Sequence, residues 1–105
     1  MRTKRYAQAI EWLETALEIQ PAHPLCAANL AYALVLTDPP RDPARALGYV
    51  EQALAAVPND PTVLEVAYVV YRVNNQPQRA AAIVQRALQV IPQTHPGYQM
   101  WQGRQ

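Results

Sequence analysis

The chain of 105 residues has no serine, no phenylalanine, one cysteine, three glycines and only 16% charged residues. Each scarcity excludes a class of chemistry. Without serine there is no serine nucleophile and no Ser-His-Asp triad. A cysteine nucleophile would need Cys26 beside a histidine, and His23, the nearest in sequence, stands across the helix start at Pro24. Set among alanines and leucines, Cys26 reads as a small buried thiol. It cannot form an internal disulfide, so nothing indicates a stapled secreted scaffold, and a reducing, cytoplasmic location is expected. Gly48, Gly97 and Gly103 are isolated and make no phosphate-cradling loop. Nine Lys and Arg against eight Asp and Glu leave a net charge of +1, which exerts no general pull on nucleic acid or anionic lipid. The longest apolar run, residues 25–36 with Asn29 inside it, falls short of the roughly 20 residues that span a bilayer. The basic start Met1-Arg-Thr-Lys-Arg leads into Glu11, Glu14 and Glu18 rather than into an apolar export core. A soluble protein, without membrane insertion or nucleic-acid partners, is expected.

What the chain has is alanine, aliphatic residues and 10 prolines, with 50% of the residues apolar. The prolines punctuate segments of helical periodicity. From Tyr6 to Gln20, Ala9, Ile10, Leu13, Ala16 and Leu17 recur at three- and four-residue steps, which predicts an amphipathic helix. A second helix is expected over 24–37. After the turn Asp38 to Pro43, with Asp42 as N-cap and Pro43 at the first helical position, a third runs to Val57. Asn59-Asp60-Pro61 repeats that device and starts a fourth, ending near Asn74, and a fifth runs from Pro77 to a stop at Pro92.

An internal repeat organises these helices. Ala9-x3-Leu13-x2-Ala16-Leu17-x3-Pro21, Ala46-x3-Val50-x2-Ala53-Leu54-x3-Pro58 and Ala80-x3-Val84-x2-Ala87-Leu88-x3-Pro92 align without a gap. Their final prolines are spaced 37 and 34 residues apart. That period, with two helices per unit, indicates a helical solenoid. The chain here resembles the tetratricopeptide repeat family, with its W-x2-L-G-x2-Y, A-x3-F and P signature. The second-helix half matches three times. The first-helix half matches in part: Ala27-x2-Leu30-Ala31-x2-Leu34 fits with smaller residues, while Leu64-x2-Ala67-Tyr68-x2-Tyr71 keeps the final tyrosine and sets Tyr68 where the family has glycine or alanine.

The expected fold is therefore all-α: an αα-solenoid of about five helices plus a short C-terminal partial helix. It comprises an orphan second helix over 6–21, full repeats over 24–58 and 61–92, and a truncated repeat or cap over 95–105. Repeats bury their apolar faces only against neighbours, so both ends should expose core-type surface unless something covers it. The segment after Pro92, with Tyr98, Met100 and Trp101, could fold back as a cap or serve in self-association.

No catalytic residues are expected. His23 and His95 each precede a proline at equivalent turns, but they lie two repeats apart without further ligands at metal-binding spacing, so no metal and no cofactor are expected. The first helices are the unusual elements, apolar nearly all round. Sandwiching between repeats explains that on its own. The other explanation is a groove for a partner's peptide or helix, which the family resemblance would place on the inner, concave face: Leu25, Ala28, Asn29, Tyr32, Val35 and Leu36 from one helix, and Thr62, Glu65, Val66, Val69, Arg72 and Val73 from the next. Asn29, Glu65 and Arg72 would orient the guest. Some members of the family that the chain resembles clamp a partner's C-terminal carboxylate with inner-face lysines and asparagines; here Asn29 is present, but Ala28 and Glu65 stand where that resemblance would want cations, so such a clamp is not expected. Charge is uneven, with +3 over residues 1–5, −6 over residues 6–65 and +4 over residues 66–105. Two solvated helix faces of opposite sign explain this on their own; the other explanation is head-to-tail stacking, the basic C-terminal half of one copy on the acidic N-terminal half of another. The expected function is thus a non-enzymatic protein-interaction module, the alternative being an assembly unit that self-associates through open solenoid ends.

Overall fold

The computed structural model describes residues 2–21, 23–36 and 42–105, with side chains from residue 6 onward. Among them are six helices and no strand: α1 (Arg2–Ile19), α2 (Pro24–Leu36), α3 (Pro43–Ala56), α4 (Pro61–Val73), α5 (Pro77–Val90) and α6 (Tyr98–Gly103). The expected boundaries hold to within a residue or so from α2 to α5. α1 starts four residues earlier than its apolar periodicity indicates, since residues 2–5 contain no proline or glycine and include strong helix formers. The turn before Asp42 lies outside the described residues.

Helix starts are set by proline and a local acceptor. Asp42 accepts from the Arg45 N–H at 3.1 Å. Asp60 accepts from Thr62 and Val63 at 2.8 and 3.1 Å. At α2 the same work falls to His23, whose Nδ1 accepts from the Cys26 N–H at 3.2 Å, and His95 Nδ1 accepts from the Gly97 N–H at 2.9 Å. The two histidines are thus local acceptors at equivalent turns. α5 has no side-chain cap at Gln76; its turn is made by Asn75, which takes the left-handed φ of 59° that asparagine tolerates.

The helices stack as an αα-solenoid. α2 packs against α1, α3 and α4, α4 packs against α2, α3 and α5, and α6 lies on α5. No Cα of one second helix, α1, α3 or α5, comes within 8 Å of another's. They are linked instead by long side chains, Arg45 to Glu14 from α3 to α1 and Arg79 to Glu51 from α5 to α3. Close packing among α2, α3 and α4 depends on small residues: Ala27, Ala31, Ala46, Ala53 and Ala67 are fully buried, with Leu30, Leu34, Val50, Val63, Leu64 and Val70 filling the space between helices.

Two measurements probe these contacts. Asp60→Ala removes the acceptor for two helix-start N–H groups and is expected to lower unfolding free energy by about 1 kcal/mol in urea titration. Tyr71, 6% exposed, has its phenol held above its ordinary value near 10, first by burial and then by Glu51, against the opposing pull of Arg79. The fold therefore favours the neutral phenol. Its contribution is complete below pH 10 and declines as pH rises through the raised value, and Tyr71→Phe should flatten that part of the alkaline profile.

Candidate functional site

An open cleft of about 490 Å³ lies between the first helices α2 and α4 and the C-terminal segment. Asn29 and Tyr32 of α2 form one side, Pro61, Thr62, Glu65 and Val66 of α4 the centre, and Ile91, His95, Gly97, Met100 and Trp101 the far side. A smaller depression at the start of α5, about 390 Å³, is lined among the described residues by residues 75–79.

The cleft exists because α4 and α6 are held apart. At the preceding interface Ala31 is fully buried and lets α2 approach α4. Tyr68 occupies the equivalent place on α4, and its ring meets Trp101 edge-on at 5.8 Å and 82°. No Cα of α6 comes within 8 Å of α4. Two rings thus replace backbone contact and leave space beside them.

Arg104 locks this arrangement. Its guanidinium lies 4.2 Å from the Tyr68 ring centroid and 4.6 Å from that of Trp101. It also donates two hydrogen bonds to Glu65, one of them from Nη2 to Oε1 at 2.9 Å. Arg is suited to both tasks, as a flat cation that stacks and forks onto a carboxylate. The hydrogen bond to Glu65 raises the Arg104 pKa above its ordinary value, against the opposing effect of burial. The Glu65 carboxylate is therefore engaged within the protein rather than free to orient a guest.

The structure divides the expected groove. Asn29, Tyr32, Thr62, Glu65 and Val66 line the cleft together with Met100 and Trp101, so the expected groove and the expected self-association patch share one surface. Leu25, Leu36, Arg72 and Val73 are exposed and Val69 half-buried on the same helices, but they lie outside the cleft. Ala28 and Val35 are corrected: they are 0% and 6% exposed and belong to the core. With three neighbours, α2 leaves Leu25, Asn29 and Leu36 exposed and Tyr32 half-buried along a narrow stripe. Val66 is also buried, at 3%, and serves as floor. Trp101, 2% exposed, is packed against its own chain and offers no contact to a second copy, whereas Met100 remains 46% exposed. Cys26 is half-buried rather than buried.

Arg104 is legible in the sequence only as a charge; nothing in the repeat spacing brings residue 104 to residue 65. Ile91 and His95 are likewise absent from the expected groove, though their place after the fifth helix, where the next first helix would begin, is a signal for them. Among the described residues no cluster of three or more His, Cys, Asp or Glu could hold a metal, and no helix is long and apolar enough to cross a membrane. Comparison with protein families, curated proteins and solved structures finds no match to this chain.

Arg104→Ala is expected to cost about 1–2 kcal/mol by removing a part-buried carboxylate pair and two cation–π contacts. It should also shift Trp101 emission to the red, measured in a Trp12→Tyr background so that one indole reports.

Proposed function

We propose that the chain is a non-enzymatic protein-interaction module of tetratricopeptide-repeat type that holds a short segment of another protein in the cleft between α2, α4 and α6. The observation that supports this most is the cleft's composition. Its walls are apolar, from Tyr32, Val66, Ile91, Met100 and Trp101, with Asn29 and Thr62 exposed as uncharged groups able to bond a guest's backbone. Among the described residues no lysine or arginine lines it, and the charge of Glu65 is paired with Arg104. The guest that fits is an internal, uncharged, apolar-rich segment, not a C-terminal carboxylate and not an acidic tail.

A second reading is self-association through the open ends. It is favoured by α1, where Trp12 and Ile19 are 71% and 77% exposed, far more than isolated large apolar residues require.

The cleft is tested with a peptide selected on the wild-type chain from a random display library. Tyr32→Glu combined with Met100→Glu should weaken that peptide at least tenfold by fluorescence anisotropy, at unchanged helicity. Undiminished binding would place the guest elsewhere.

A further inference from the structure

The second helices α1, α3 and α5 share one repeat register, so Arg45, Gly48, Glu51, Gln52 and Ala55 on the outer face of α3 have counterparts on the other two. Every one of these positions is exposed except Glu14 of α1, which is half-buried. In a stack each repeat touches only its neighbours along the stack, so this outer face is open whatever the length of the array.

Charge at these positions forms a graded series. α1 has Glu11, Glu14 and Glu18, α3 has Arg45 and Glu51, and α5 has Arg79 and Arg86, which sum to −3, 0 and +2. Arg45 is taken up by Glu14 and Arg79 by Glu51 within the chain. Among the described residues Glu11 and Glu18 of α1 and Arg86 of α5 join no ion pair. An acidic ligand drawn to α5 would be repelled by α1, and a basic ligand drawn to α1 would be repelled by α5. The body that suits both flanks at once carries the same series reversed, and that body is this chain given half a turn about an axis along α3.

Register then sets what faces what. α3 lies on α3 of the second copy, parallel to it, with Gly48 opposite Gly48, and α1 lies opposite α5. Thr15 stands at the height of Arg86 of the second copy, with Glu11 and Glu18 about one turn to either side. Gly48 suits that centre. It is an exposed glycine inside α3, where glycine weakens a helix relative to alanine, and a Cβ there would meet nothing within the chain. The fold of one chain gives no reason for it, whereas close approach of a second backbone does.

We propose that two copies of this chain pair outer face to outer face about this two-fold axis, each setting Glu11 and Glu18 of α1 around Arg86 of the other. The contact is isologous and closes at the dimer. Little apolar surface enters it, which makes it weak and salt-dependent. None of these residues lines the cleft between α2, α4 and α6, so pairing and guest binding use separate surfaces.

Sedimentation equilibrium at low salt, from dilute to near-millimolar protein, should show mass rising from 11.7 kDa and levelling at twice that value. Arg86→Glu should weaken the dimer about tenfold, since two-fold symmetry makes one substitution act at both flanks, and Glu11→Arg with Glu18→Arg should do the same. Mixed one to one, the two variants should regain wild-type affinity, because each flank then joins opposite charges again. Gly48→Leu, at unchanged helicity, should weaken pairing by a similar factor. A mass of 11.7 kDa at every concentration would overturn the pairing, as would mass rising past the dimer, or a dimer indifferent to both charge variants. Arg86→Glu should bind the cleft peptide as the wild type does, which keeps this test separate from that of the cleft.

Discussion

The burial of α2 and α4 on three sides is the constraint from which the rest of the structure follows. Each is a first helix held by its own second helix, by the preceding second helix and by the neighbouring first helix. Three neighbours can be fitted around one helix only if the contact positions are small, which is why Ala27, Ala31, Ala46, Ala53 and Ala67 sit fully buried at the interfaces. The apolar composition of these helices is therefore mostly structural. Their free surface is one stripe, not a face.

The same constraint sets the end helices apart. Among the described residues the backbone of α1 packs on α2 alone and that of α6 on α5 alone. At the C-terminal end α6 is joined to α4 through a compact cluster: Trp101 is buried, Tyr68 meets it edge-on, and Arg104 joins both rings to Glu65. Side chains make this contact in place of close backbone packing, and the space beside them is the cleft. Among the described residues no such cluster stands at the α1 end, where Trp12 is exposed.

Much of this fold is legible in the amino-acid order. Proline spacing marks the helix order, the aspartate-proline pairs mark the starts of α3 and α4, and the aligned alanines mark the repeat and its core. Less of the site is legible. Periodicity alone cannot say how many neighbours a helix has, so the pattern of α2 assigns Ala28 and Val35 to an open face that the helix does not possess. The role of Arg104 is hidden for a different reason: it depends on a contact across 39 residues that no local pattern encodes. Tyr68 is visible as a departure from the small residue found at the same place in α2, and that departure proves to be what opens the cleft.

Native-state hydrogen exchange on dilute protein, resolved to single amides, tests the central claim that three-sided packing of α2 and α4 holds the fold. Amides of α2, α3 and α4 should exchange only through global unfolding, while those of α1 and α6 exchange faster through local opening. Protection in α1 and α6 equal to that in α4 would contradict it, because the ends would then be as completely packed as the centre.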